Sequence, residues 1–142
     1  MSRMIVSTAP AGLFGSLAEL FGRLLLAVLY LVSGFGKITG YAATVGYMQA
    51  MGVPALALPL VIAVELLGAV AIAIGWKTRL VAFVMAGFTV LAALIFHHDF
   101  SDATQQVMFL KNLAITGGFL LLVAHGAGRL SLDARARRRR RL

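Results

Sequence analysis

The sequence predicts an all-α membrane fold: a four transmembrane helix bundle with a short amphipathic outer helix and both termini cytoplasmic. Hydrophobic residues make up 61% of the 142 residues and charged residues 13%, whereas a soluble domain carries about 25% charged residues. Four stretches have the length of about 20 mostly apolar residues needed to cross a bilayer. Lysine and arginine gather on one set of connections, as they do on the cytoplasmic side of membrane proteins.

The first stretch runs from Leu17 to Gly36, prefaced by an interfacial turn with Leu13 and Phe14. The second runs from Ala55 to Gly75 and is entered through Pro54; Pro59 falls in its first turn, where backbone N–H groups lack helical partners anyway. The third spans Leu80 to Phe96, and the fourth Gln106 to Ala124, stopping near Gly126 and Gly128. A closed barrel is the other structure that satisfies its backbone in lipid. Its strands alternate in polarity, and these segments are apolar all round. Between the first two spans, Tyr41 to Met51 carries Tyr41, Val45, Tyr47, Met48 and Met51, which predicts a short helix on or dipping into the outer surface.

The turn Trp76-Lys77-Thr78-Arg79 is basic, whereas residues 97–102 hold two aspartates and no lysine or arginine. Arg3, the basic turn and the C-terminal arginines share one side if both termini are cytoplasmic, which places residues 38–53 and 97–105 outside. Before the Ala-Pro-Ala of residues 9–11 stands only Met4-Ile5-Val6 as an apolar run. That is too short for a signal-peptide core, so the N-terminus is expected to stay in the mature protein.

The net charge of +8 belongs to a tail. Arg135, Arg137, Arg138, Arg139, Arg140 and Arg141 lie in the last eight residues, and without them the chain is +2. This divides the chain into a transmembrane domain, residues 1–133, and a basic cytoplasmic tail, residues 134–142. Such a run beside a membrane helix implies anionic lipid head groups as its partner and argues against nucleic acid. With no cysteine, thiolate metal sites and thiol relays within the chain are excluded.

Ionisable side chains inside a membrane usually face the bundle interior and have a partner. Arg23, Glu65 and Lys111 fall in or at the end of the spans, with Lys37 at the outer end of the first. At ~1.5 Å per residue, Arg23 sits ~9 Å and Glu65 ~15 Å above the inner ends of their helices, within reach of an arginine side chain. The expectation is therefore an Arg23–Glu65 pair, either organising a site or only fixing helix packing. Arg23, Tyr30 and Lys37 recur every seven residues, with Ala27 and Gly34 on the same stripe, a small-residue seam of the kind that packs helices in lipid. Lys111 and Asn112 open the outer half of the fourth span. Lys37 and Lys111 either donate into an outer cavity or snorkel to the head groups.

His97 and His98 are adjacent and point about 100° apart on a helix. They are poor joint ligands, and His125 lies about 30 Å away across the hydrocarbon core. No metal and no haem is assigned; His97 and His98 are candidates for a proton relay at the outer face. No nucleophilic triad, phosphate loop or dinucleotide fingerprint is present.

The stretch Arg23-Leu-Leu-Leu-Ala-Val-Leu-Tyr-Leu-Val-Ser-Gly34-Phe-Gly-Lys37 resembles the opening of the DoxX family. So do Tyr47-Met48 with Gly52-Val-Pro54, Glu65-Leu-Leu-Gly68 with Gly75-Trp-Lys-Thr-Arg79, and Lys111-Asn112 with Gly117-Gly118 and Gly128-Arg-Leu-Ser-Leu132. The resemblance covers residues 20–133 and implies a four-helix protein of the bacterial plasma (inner) membrane. It also implies a link to quinone-dependent redox chemistry, since related DoxD proteins are subunits of a thiosulfate:quinone oxidoreductase. Some mycobacterial DoxX proteins are associated with a superoxide dismutase and a sulfurtransferase. The Arg-rich tail is not a feature of that resemblance.

The first functional expectation is thus a membrane component of a quinone-linked redox or oxidative-stress system, a possible oxidoreductase subunit with a soluble redox partner. Arg23, Tyr30, Glu65 and Asn112 would line or organise its cavity, and Lys37 and Lys111 would donate to a quinone carbonyl or a sulfur oxyanion. The alternatives are a small proton-coupled transporter using Glu65 and a non-catalytic anchor for a soluble enzyme. Gly36-x-x-x-Gly40 permits a homo-oligomer.

Overall fold

The computed structural model describes residues 12–141; the expectations that rest on Arg3 and on residues 4–11 lie outside them. The helices are α1 (Leu13–Thr39), α2 (Tyr41–Ala50), α3 (Leu58–Ile74), α4 (Thr78–Phe96), α5 (Ala103–His125) and α6 (Leu132–Arg139). A single 3-10 turn, Ala55–Ala57, leads into α3. No strand occurs among the described residues. Leu13–Thr39, Ala55–Ile74, Thr78–Phe96 and Ala103–His125 are each long and apolar enough to cross a membrane. Large apolar side chains such as Leu25, Val32, Leu67, Phe83 and Leu110 are exposed around the bundle. That is a liability in water and the expected surface in lipid.

Three spans extend outward from the sequence reading, while the second, Ala55–Ile74, stops one residue short of Gly75. The turn with Leu13 and Phe14 is not separate but the first turn of a continuous α1. Thr78 and Ala103 begin α4 and α5. Asp102 caps α5 by accepting from Thr104 N at 2.7 Å, which satisfies one of the four free N–H groups at a helix start.

The backbones pack closely where α1 meets α3, α3 meets α4 and α4 meets α5, while α1 and α5 meet through side chains. Small residues set the close approaches, as expected where lipid gives no hydrophobic push between helices. Gly34 of α1 lies against Leu66 of α3, and Gly68 of α3 against Met85 of α4. The core at the crossings is Ala27, Ala69, Ile72, Ala82, Met85 and Phe119.

Two ends of the bundle differ in character. At the end holding the 75–79 turn and α6, hereafter the basic end, Arg23 is 1% exposed. Its Nη1 donates to Ile72 O at 3.1 Å and Ala73 O at 2.8 Å, and its Nη2 to Leu130 O. Gly75, at φ 70°, ends α3 there, and a side chain on it would strike Arg23 and Ser131. Asp133 joins α6 to the start of α4, accepting from Lys77 N and Thr78 N, each at 2.8 Å, while its own N–H reaches Gly75 O at 2.9 Å. The basic tail is therefore helical from Leu132 and hydrogen-bonded to the bundle through Asp133.

At the other end, α2 lies over the bundle with Met48 buried beneath it. Tyr47 stacks on Phe96 with ring centroids 5.5 Å apart.

Candidate functional site

The polar seam of α1 splits into two sites about 21 Å apart, because 14 residues of helix separate Arg23 from Lys37. The expected Arg23–Glu65 pair does not form. Arg23 turns toward the basic end, where the last carbonyls of α3 carry the negative end of the helix dipole; Ile72 O there also accepts from Gly75 N at 3.2 Å. Glu65 instead pairs with Lys37, Nζ to Oε1 at 2.9 Å. Ser33, one turn before Lys37, bridges them: it accepts from Lys37 Nζ at 2.6 Å and donates to Glu65 Oε1 at 3.2 Å. Glu65 is 4% exposed, and its Oε2 has no hydrogen-bond partner among the described residues.

Beside this pair lies a cavity of about 490 Å³, bounded by α1, α3, α4 and α5 and roofed by α2. Its walls are mostly apolar, with Leu60, Val61, Val64, Phe88, Leu91 and Ile95 among them. Its polar groups are Tyr30, Ser33, Lys37, Thr44, Tyr47, His97, Lys111 and Asn112. Glu65 does not line it but sits one layer behind Ser33 and Lys37.

The sequence-nominated residues thus separate by role. Tyr30 lines the cavity with its ring, but its hydroxyl is committed to Thr89, which in turn donates to Met85 O at 2.6 Å. The ring also rests on Phe119, 5.7 Å between centroids. His97 faces the cavity with Nδ1 2.8 Å from Gln105 Oε1. His98 does not reach it; it is exposed, with Nδ1 3.0 Å from Ile95 O. Lys111 stands about 12 Å along α5 from its first residue. Its Nζ approaches Met108 Sδ at 3.2 Å and pairs with no carboxylate among the described residues. Asn112 completes that wall, its side chain making no hydrogen bond among the described residues.

Ser33 and α2 were missed as parts of the site. Ser33 could have been found from its spacing, three residues after Tyr30 and four before Lys37, which puts it on the same face.

A second cleft of about 770 Å³ runs between α1 and α5 toward the basic end. It is lined by Glu19, Gly22, Leu25, Ile115, Leu121 and His125 among others. It shares Leu29 and Lys111 with the first cavity.

A family model described as DoxX matches residues 18–98, which include Arg23, Lys37, Glu65 and both adjacent histidines. The chain is 51% identical over 114 residues to inner membrane protein YqjF of Escherichia coli (strain K12), covering 80% of this chain and 88% of that one. It is 37% identical over 123 residues to inner membrane protein YphA of the same organism, covering 82% and 88%. No solved structure matches significantly. With four apolar spans, a family match over more than half its length and these relatives, the chain belongs to the DoxX family and is a multi-pass protein of the bacterial inner membrane.

Proposed function

We propose that the protein is a membrane component of a quinone-linked redox or oxidative-stress system, and that the cavity under α2 holds a quinone ring. The observation that supports this best is a cavity of about 490 Å³ with apolar walls and several converging polar groups, at the α2 end of the bundle. Ligand sites commonly measure about 300–1,000 Å³ with that mixture of walls. The residues fit a ring bearing two carbonyl oxygens. Lys111 and Asn112 offer donors from α5 on one side, and Lys37 from α1 on the other. Lys37 is neutralised by Glu65, whereas Lys111 is not, so Lys111 is the stronger free donor. His97, at the rim beside Gln105, supports a proton relay at that end of the bundle. A bound quinone supplies acceptance of two electrons and two protons. The chain has no cysteine of its own, so in this reading the electrons reach the quinone through a cofactor or a partner.

Binding of a short-tailed quinone to the purified protein tests this. Lys111→Met is expected to weaken it roughly tenfold, equivalent to about 1.4 kcal/mol. Equal affinity in wild type, Lys111→Met and Asn112→Leu would count against a ring in this cavity.

The basic end supports a second element of the reading, that it faces the cytoplasm and rests on anionic lipid heads. Trp76 is exposed beside Lys77, with the cation 5.0 Å from the ring centroid, as at membrane interfaces. The Asp133 clamp holds the arginines of α6 against that surface. Burial opposes ionisation of Asp133, but the N–H groups of Thr78 and Lys77 and the charge of Arg137 outweigh it and hold the carboxyl below its usual range. A depressed folded-state pKa gives stability that is present above the unfolded value, about 3.9, and is lost as pH falls through the folded one. Amide protection of residues 131–139, measured against the intrinsic exchange rate at each pH, is therefore expected to fall below about pH 4. Asp133→Asn is expected to show that lower protection already at pH 7. Protection that is independent of pH and of this substitution would remove the clamp.

A further inference from the structure

We propose that the cleft between α1 and α5 takes the isoprenoid tail of the quinone whose ring occupies the cavity, so that the ligand enters sideways from the bilayer. This rests on the quinone reading above and adds the path of the tail. The α1 and α5 backbones stay apart, and side chains such as Tyr30 on Phe119 make the contact between them. The space left between them, about 770 Å³, is not a separate hollow: Leu29 and Lys111 line both it and the ring cavity, so the two meet at that level. From Lys111 to Gly126 the cleft follows 15 residues of α5, about 22 Å of helix.

Its chemistry changes along that length in the way an amphiphile requires. At the junction stands Lys111, a cation with no carboxylate partner among the described residues. Below it come Leu25, Leu26, Ile115, Leu121 and Leu122, all apolar. Gly22 keeps the floor open, since a Cβ built there meets nothing within 4 Å. The cleft ends at Glu19, Arg23 and His125, a polar stop that an apolar chain does not cross. A ring with a donor beside it and a flexible apolar chain leading away match the two spaces in their order. A charged or wholly polar ligand matches the first space and not the second.

Affinities of a tail-less benzoquinone and of a quinone with several isoprene units would be compared in lipid nanodiscs. The proteins would be wild type, Gly22→Leu and Leu121→Trp, which fill the cleft from opposite walls, and Leu67→Phe, a lipid-facing control on α3. The long-tailed quinone is expected to bind wild type and the control at least tenfold more tightly than either cleft variant. The tail-less one is expected to bind all four equally. Thermal melting of each variant confirms that it is folded. The tail path is overturned if filling the cleft leaves long-tailed binding unchanged in both variants. It is also overturned if those variants lose a co-purifying phospholipid while quinone affinity stays constant. If neither quinone binds wild type, the quinone reading itself fails, and this inference with it.

Discussion

Arg23→Met is expected to loosen the whole basic end of the bundle and to cost roughly 3–5 kcal/mol, the range for removing a buried charged group from its partners. The guanidinium serves three carbonyls on two elements: Ile72 and Ala73 at the end of α3, and Leu130 before α6. Bonds from a charged donor contribute about 1.5–3 kcal/mol each, and buried acceptors left without a donor are costly. The loss would spread, because Gly75 packs directly on the Arg23 side chain and its carbonyl anchors Asp133. Arg23→Lys is expected to recover little, since one ammonium cannot present the fixed fork that faces two directions. Thermal melting in detergent gives the size of the effect. Amide exchange at residues 126–134 gives its location. A melting temperature within a degree or two of wild type would show that these bonds do not hold the end together.

The second large effect is expected at the other end. Lys37→Met leaves the Glu65 carboxylate buried with Ser33 as its remaining donor. Removing one partner of a buried pair typically costs about 3–5 kcal/mol. Replacing both, in Lys37→Met with Glu65→Gln, is expected to restore most of that, because no charge is then left unpaired. The same cycle run on Arg23 and Glu65 is expected to be additive, within about 0.5 kcal/mol for independent sites. Coupling between Arg23 and Glu65 larger than that between Lys37 and Glu65 would reverse the assignment of partners.

The four spans, the short helix between the first two and the basic turn were legible in the sequence because the bilayer imposes length and polarity on each. What could not be read was which polar groups meet. The heptad spacing of Arg23, Tyr30 and Lys37 places them on one face, but it does not say which way a long side chain turns. Depth arithmetic favoured Arg23 with Glu65 because it counted carboxylates and omitted backbone carbonyls. The carbonyls at the end of α3 were the stronger attraction for Arg23, and Lys37 is the partner of Glu65. Tyr30, Lys37, His97, Lys111 and Asn112 do share a cavity, though they come from three helices and their convergence depends on packing that no local pattern encodes. His98 is turned away because it follows the end of α4 at His97. The tail reads as loose charge in sequence; one residue, Asp133, makes it part of the fold.

Extraction in mild detergent followed by mass spectrometry of the lipid phase tests the central claim most directly, with wild type compared against Lys111→Met and Lys37→Met plus Glu65→Gln. The cavity reading predicts a quinone near one per chain in wild type and its depletion in both folded variants. Wild-type protein free of quinone, when purified from membranes that contain it, would contradict the reading and leave the paired carboxylate and lysine as a transport or packing device.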